Sequence, residues 1–144
     1  MDNIYENTEY LVKQNTNETL LSVIVPCFNE INTIDKVIKK IKTSSVQNKE
    51  IIIVDDFSSD GSREYLKSLI DKQITIKLHS QNKGKGAAIR TGIESAKGEI
   101  IIIQDADLEY DPNEYVNIIN PIINNKADVV YGSRFKGGQP HRVV

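Results

Sequence analysis

Short apolar runs alternate with stretches of helical periodicity from Leu20 onward. The apolar runs predict five β-strands, at residues 20–25, 51–54, 74–78, 100–103 and 128–132. Apolar residues at helical spacing predict four helices, at residues 31–41, 63–70, 86–96 and from 111 onward. Strands that are apolar throughout and separated by helices are typical of a parallel sheet covered on both faces. The pattern therefore predicts an α/β protein with a doubly wound, largely parallel sheet.

The exposure and the ends of some elements can be predicted as well. Residues 74–78 alternate between apolar and polar side chains, which favours a half-exposed edge strand, whereas the four isoleucines at 100–103 predict a buried strand. Asp111 followed by Pro112 favours a helix start. Gly98 is expected to be the C-cap of the helix before it.

Length and composition indicate one soluble globular domain. The chain has 144 residues, of which 39% are hydrophobic and 26% charged, which suffices for one buried core. Residues 1–19 are rich in Asn, Thr and Glu, so we expect a mobile polar tail there and a folded domain over residues 20–144.

The net charge, the length of the apolar runs, and the few cysteine and histidine residues argue against several classes of protein. The net charge of −2 lacks the basic excess expected of a nucleic-acid-binding protein. No apolar run approaches the roughly 18 residues needed to cross a bilayer. Cys27 is the only cysteine, so we expect no internal disulfide and a small buried thiol. His79 and His141 lie far apart in the sequence, which argues against a zinc site.

Polar residues cluster where the predicted strands end. These segments are residues 26–30, 55–60, 82–86, 105–107 and 133–134. The carboxyl ends of parallel strands meet at one edge of a sheet, and ligands of such sheets bind there. We therefore predict a functional site at this edge.

Asp105 and Asp107 follow the isoleucine strand after one intervening residue, Gln104. In extended chain, side chains two residues apart point the same way, so one divalent cation with oxygen ligands could lie between them. A pair of solvated aspartates at a strand end is the alternative. Two aspartates facing a diphosphate without a metal would repel it by roughly 4 kcal/mol per charge pair at about 4 Å and a dielectric constant of about 20. A metal ion would reverse that interaction.

Other nucleotide-binding patterns do not fit. A dinucleotide-binding turn after the first strand would need glycines, and Pro26, Phe28 and Glu30 stand there instead. A phosphate-binding P-loop would need Ser or Thr after the lysine, but Gly86 follows Lys85.

An acidic pair after the second strand together with Asp-x-Asp after the fourth resembles the family 2 glycosyltransferases, whose nucleotide-sugar-binding fold is called GT-A. The matching segments are residues 23–30, 53–62, 82–86 and 105–112. Residues 108–112 and 131–135 look most like the dolichyl-phosphate and polyprenyl-phosphate sugar transferases, as in dolichol-phosphate mannosyltransferase. Members of this family normally continue into an acceptor-binding segment, so the resemblance implies a chain that is incomplete at its C-terminal side.

The resemblance also implies roles for individual residues. Those expected to bind the nucleotide sugar are Pro26, Phe28, Glu30, Val54, Asp56, Asp105, Ala106, Asp107 and Arg134. Within this set, Glu30 would bind the ribose and Asp56 the nucleobase. Asp105, Asp107 and Glu109 would hold Mg²⁺ or Mn²⁺, and Asp107 and Arg134 would be the catalytic residues, with Arg134 contacting a phosphate. Phe57 stands where the family usually has glycine, and Glu109 where it often has glutamine.

The function implied is metal-dependent, inverting transfer of a hexose, mannose or glucose, from a UDP- or GDP-sugar to dolichyl or polyprenyl phosphate. The protein is expected in the cytoplasm, with peripheral contact at the cytoplasmic face of a membrane. Two alternatives remain open at this point. One is a transferase of the same fold that acts on a saccharide or protein acceptor, and the other is a non-catalytic fragment that binds nucleotide sugars.

Overall fold

The computed structural model describes residues 18–132. Nearly all of the predicted polar tail (residues 1–19) lies outside this range, as does Arg134. No helix within residues 18–132 is long and apolar enough to span a lipid bilayer.

A parallel sheet forms the centre of the described chain. Its strands are β1 (Leu21–Cys27), β2 (Lys49–Asp55), β3 (Ile74–Leu78) and β4 (Ile100–Ile103), in the order β3-β2-β1-β4. The helices are α1 (Ile34–Thr43), α2 (Ser62–Ser68), α3 (Lys85–Ser95) and α4 (Tyr115–Ile123). All three pairs of neighbouring strands are parallel. The predicted α/β class and parallel sheet are confirmed, and β3 lies at the edge as predicted.

The helices cover both faces of the sheet. On one face, α1, α2 and α4 pack against alternate residues of the strands, and this main core includes Val23, Val25, Val37, Ile51 and Ile53. On the other face, Ala88 of α3 packs against Ile52 and Val54 of β2. Burial of both faces explains why residues 23–25 of β1 and 51–54 of β2 are apolar without alternation, since none of these side chains faces solvent.

Local signals explain how two of the helices are placed. In α1, Ile34, Val37, Ile38 and Ile41 are buried, so the helix turns one apolar face toward the core. The Asp111 side chain accepts a hydrogen bond from the backbone N–H of Asn113, and Pro112 follows at the first position of a 3₁₀ turn (Pro112–Glu114) that leads into α4. The predicted start at Asp111 is therefore confirmed.

Three predictions about elements are wrong. Residues 128–132 form no strand. The isoleucines of β4 are only partly buried, because β4 lies at an edge of the described sheet: Ile101 and Ile103 are 40% and 46% exposed. Gly98 is not a helix cap, since α3 ends at Ser95 and its C-cap is Ala96. A Cβ atom at Gly98 would lie 2.6 Å from the backbone oxygen of Leu20, so close packing against β1 requires glycine there.

Candidate active site

The strands β1, β2 and β4 and the loop before α3 border a cleft of about 230 Å³ at the carboxyl edge of the sheet. The residues lining it are Pro26, Cys27, Phe28, Glu30, Asp56, Asn82, Gly84, Lys85, Ala88, Asp105, Ala106 and Asp107. The cleft lies where a parallel sheet is expected to bind its ligand.

Hydrogen bonds between two loops fix the first wall of the cleft. The backbone N–H of Asn29 donates to Ser58 Oγ at 2.9 Å, and the Asn29 side chain accepts from the N–H of Ser59 at 2.9 Å. The N–H of Glu30 donates to Ser62 Oγ at 2.9 Å. Asn29 and Phe57 have φ angles of 56° and 70°. These side-chain bonds hold the loops after β1 and β2 as one unit and so position Phe28 and Glu30 at the cleft.

Asp55 stabilises the loop after β2 from the side of the core. Its side chain is fully buried, and Oδ2 lies 2.6 Å from Arg63 Nη1. The same guanidinium nitrogen donates to the backbone oxygen of His79 at 2.9 Å, and the N–H of Ser58 points at the Asp55 carboxylate. Arg63 also lies over the Phe57 ring, 5.6 Å from its centroid. Asp55 thus has a structural environment with no access to the cleft.

Asp56 faces the cleft and joins it to the loop before α3. Its Oδ1 atom lies 2.7 Å from His79 Nδ1 and accepts from the N–H of Lys83 at 2.9 Å, while Oδ2 accepts from the N–H of Gly84 at 2.7 Å. The other ring nitrogen of His79 lies 2.9 Å from Thr91 Oγ1 in α3. A carboxylate has about four acceptor positions. Three are used here, and one on Oδ2 remains for a ligand.

The pKa of Asp56 follows from these contacts. Desolvation raises the pKa, but the hydrogen bonds from the His79 ring and from the N–H groups of Lys83 and Gly84 outweigh it, so the pKa lies below its usual value. Asp56 is therefore ionised at neutral pH and can accept an N–H from a ligand.

Cys27 lines the cleft as a protonated thiol at neutral pH. Burial, with contributions from the Asp55, Glu30 and Asp60 carboxylates, raises the pKa of its thiol to about 12. The prediction of a buried thiol is confirmed.

A buried glutamine supports the second wall, which carries Asp105 and Asp107. The backbone N–H of Gln104 donates to the oxygen of Ile24 at 2.9 Å, and its Oε1 atom accepts from the Tyr115 hydroxyl at 2.6 Å. Its Nε2 atom donates to the backbone oxygen of Asp105 at 3.2 Å. Gln104 therefore links the end of β4 to α4 and determines where the acidic turn begins.

The chain turns at residues 106–107 instead of continuing as extended backbone through Asp107. β4 ends at Ile103, and Leu108 has a φ angle of 69°. Asp107 Oδ1 accepts from the N–H of Glu109 at 3.1 Å. Asp105 Oδ1 lies 2.7 Å from the ammonium nitrogen of Lys85. The expectation of extended backbone through Asp107 is therefore wrong, although both carboxylates still line the cleft.

Seven of the ten predicted site residues line the cleft, and these are Pro26, Phe28, Glu30, Asp56, Asp105, Ala106 and Asp107. Val54 does not line it, because its side chain is fully buried and packs against Ala88 of α3. Glu109 is exposed and does not line the cleft, and Arg134 lies outside the described residues. His79 and Lys85 also belong to the site but are not among the predicted residues, because their partners lie in other loops. The polar segment 82–86 carries no sign in the sequence of which residue contacts the acidic groups.

The donor set suits a divalent cation that also binds a substrate. Residues 18–132 contain no group of three His, Cys, Asp or Glu side chains placed to hold a metal ion, so the structure does not bring Glu109 together with Asp105 and Asp107. Mg²⁺ is usually held by one or two carboxylates together with substrate phosphates. Asp105 and Asp107 fit that mode of binding.

The family model for "Glycosyl transferase family 2" matches residues 22–142. The chain therefore belongs to glycosyltransferase family 2, and the predicted resemblance is confirmed. A UDP-N-acetylglucosamine–dolichyl-phosphate N-acetylglucosaminyltransferase of Methanococcus voltae is 34% identical over 137 residues, covering 83% of this chain and 53% of the relative. A dolichol-phosphate mannosyltransferase of Pyrococcus furiosus is 32% identical over 122 residues, covering 83% of this chain and 34% of the relative. The chain thus spans about half the length of these relatives, or less.

Solved structures agree with this assignment. A mannosyltransferase from Pyrobaculum calidifontis, in complex with GDP-Man and Mn²⁺, is similar with a TM-score of 0.60 and 29% identity. The match covers 69% of this chain and 31% of that one. The structure of residues 1–349 of S. aureus TarS matches with a TM-score of 0.62 at 23% identity, over 73% of this chain and 32% of that one, which shows the fold alone. The predicted GT-A fold is confirmed.

Proposed function

We propose that the protein is a metal-dependent, inverting glycosyltransferase that moves a hexose, mannose or glucose, from a UDP- or GDP-sugar to dolichyl or polyprenyl phosphate. The observation that carries this proposal is the cleft itself, where Asp56 and the pair Asp105 and Asp107 line one space. The names of two relatives, which specify dolichyl phosphate or dolichol phosphate, support the choice of acceptor. The Mn²⁺ and GDP-Man bound to the mannosyltransferase support the choice of donor and metal.

In this proposal the nucleobase lies against Asp56. The free acceptor position on Oδ2 would receive an N–H from uracil or guanine, and Glu30 would bind the ribose. His79 and the N–H groups of Lys83 and Gly84 hold the carboxylate, so it would need little reorganisation when the base arrives. This placement leaves the diphosphate toward Asp105 and Asp107.

The proposed chemistry needs no strong general base. An oxygen of the acceptor phosphate is already anionic, so it can attack C1 of the sugar while the bond from C1 to the leaving diphosphate breaks. Attack opposite the leaving group inverts the configuration. A divalent cation held by Asp105 and Asp107 would supply the positive charge that stabilises the leaving diphosphate.

The reaction is proposed to take place at the cytoplasmic face of a membrane, with the protein in peripheral contact with it, because the acceptor is a membrane lipid. Arg134, which follows the fifth predicted strand in sequence, is proposed to contact the acceptor phosphate.

The test is a transfer assay with the purified protein and Mn²⁺. Labelled GDP-mannose, GDP-glucose and UDP-glucose are each incubated with polyprenyl phosphate and, separately, with soluble oligosaccharides. We expect label in the lipid fraction with one donor. Asp107→Ala should abolish transfer, whereas Glu94→Ala, which removes an exposed carboxylate of α3 outside the cleft, should not. Arg134→Ala should impair transfer more than donor binding.

Other outcomes of the assay identify the alternatives. Label found only in oligosaccharides would replace the lipid acceptor with a saccharide. Donor binding without transfer to any acceptor would indicate a non-catalytic nucleotide-sugar-binding protein. Full transfer in the presence of a chelator would contradict the metal dependence.

A further inference from the structure

The charges that line the cleft are unbalanced. Four carboxylates line it, from Glu30, Asp56, Asp105 and Asp107, and Lys85 is the one basic residue of the described chain that does so. A nucleoside diphosphate adds further negative charge. The cleft therefore needs positive charge where the diphosphate binds, and Lys85 is the protein group in a position to contribute it.

Lys85 is engaged with an acidic residue. Its ammonium nitrogen lies 2.7 Å from Asp105 Oδ1. Asp105 is one of the two carboxylates proposed to hold the metal ion. An ammonium group and a divalent cation cannot both occupy the same carboxylate oxygen without repelling each other, so Lys85 competes with the metal in this arrangement.

The Lys85 side chain is able to change partner. It is 58% exposed, whereas the Asp105 side chain is 19% exposed, so the lysine has more room to adopt another rotamer. Its backbone is fixed, because it follows Gly84, whose N–H is bound to Asp56 at 2.7 Å. Lys85 is also the first residue of α3, and the first turn of that helix contains no acidic residue. A diphosphate near this end of the helix would meet positive potential from the helix dipole as well.

We propose that Lys85 is a donor-binding residue that exchanges partners. It pairs with Asp105 before the donor binds and contacts the diphosphate afterwards, which releases Asp105 for the metal ion. This inference rests on the proposed function, because it requires a nucleotide sugar in the cleft. The exchange makes the binding of metal and donor cooperative. Each ligand favours separation of the Lys85–Asp105 pair, and the separated pair binds the other ligand more tightly.

The exchange predicts opposite effects for one substitution. Lys85→Met should bind Mn²⁺ alone roughly twofold to fivefold more tightly than the unsubstituted protein, because its competitor is gone. The same variant should bind GDP or UDP with saturating Mn²⁺ about tenfold to a hundredfold more weakly, because a charge-assisted contact is lost. A loss of folded structure would weaken both and cannot produce this pattern.

Two further variants complete the experiment. Lys40→Met removes an exposed lysine of α1 outside the cleft with the same change in net charge, and it should alter neither affinity. Lys85→Arg keeps the positive charge and should retain most of the diphosphate affinity. Mn²⁺ binding can be followed by electron paramagnetic resonance of the free ion, and nucleotide binding by calorimetry.

Each outcome is informative. If Lys85→Met binds the diphosphate as well as the unsubstituted protein does, Lys85 does not contact it, and the inference is overturned while the proposed function stands. If the variant binds Mn²⁺ alone more weakly, Lys85 only supports Asp105, and the exchange is again overturned. If the unsubstituted protein with Mn²⁺ binds neither GDP nor UDP, the proposed function fails, and this inference fails with it.

Discussion

Asp55 and Asp56 are neighbours in sequence with opposite environments. Asp55 is enclosed by Arg63 and the N–H of Ser58 and has no contact with the cleft. Asp56 lines the cleft and binds the loop before α3. Successive residues at a strand end point to opposite sides, and here one side is the core and the other is the cleft. The same pair of carboxylates thus stabilises the fold with one member and is proposed to bind the base with the other.

Substitution of these two residues should separate stability from binding. Asp56→Ala should weaken nucleotide binding about tenfold to a hundredfold, because a charged acceptor is lost, while most of the fold persists. Asp55→Ala should lower the free energy of unfolding by about 3–5 kcal/mol, because it leaves Arg63 without its buried partner. Urea denaturation gives the stability, and calorimetry of GDP and UDP on the folded fraction gives the affinity.

The contrary result would be equally clear. If folded Asp55→Ala loses more affinity than Asp56→Ala, then Asp55 rather than Asp56 contacts the base. Arg63→Ala offers a control, since it should reproduce the loss of stability without removing either carboxylate.

At the scale of elements, the local sequence contained enough information for the four observed strands and the four helices. Short apolar runs and one apolar helix face are local patterns, and they locate β1, β2 and α1 to within a few residues. The start of α1 differs from its prediction because residues 30–33 form a turn anchored by Asp60 and Ser62, which lie far along the chain. The partial exposure of β4 also depends on which strands flank it, and the periodicity of four isoleucines contains no information about neighbours.

Two glycines of α3 show how packing and helix propensity differ within one element. Gly86 has open space around its Cβ position, whereas a Cβ atom at Gly92 would lie 2.4 Å from Ile24 Cγ2. Both are helical, so both lose the same backbone entropy on folding. Only Gly92 is required by the contact between α3 and β1.

Alanine at these two positions should therefore have opposite effects. Gly86→Ala should raise the free energy of unfolding by about 0.5–1 kcal/mol through helix propensity. Gly92→Ala should lower it by about 1–3 kcal/mol, because α3 must move away from Ile24. Urea denaturation of both variants measures the difference. Equal stability of the two would mean that α3 is not packed closely on β1.

At the scale of the molecule, the position of the site was predictable and its internal contacts were not. Parallel strands bring their carboxyl ends to one edge, so the segments at 26–30 and 105–107 were expected to meet. The pairs that organise the cleft, His79 with Asp56 and Lys85 with Asp105, join loops whose paths depend on the whole fold. A single sequence does not indicate which lysine or histidine forms an ion pair with an aspartate of another loop.

The same arrangement implies that ligand binding should stabilise the whole protein, and only in the presence of metal. GDP or UDP with Mn²⁺, at about 100 times its dissociation constant, should raise the free energy of unfolding by about 2.7 kcal/mol and the Tm by about 5–10 °C. With EDTA the shift should vanish, because the four carboxylates of the cleft then repel the diphosphate. Asp107→Ala should melt near the temperature of the unsubstituted protein without ligand, since Asp107 is exposed, and should show no shift with nucleotide and Mn²⁺. A shift of equal size with EDTA would mean that the nucleotide binds without metal, and a full shift in Asp107→Ala would place the metal elsewhere.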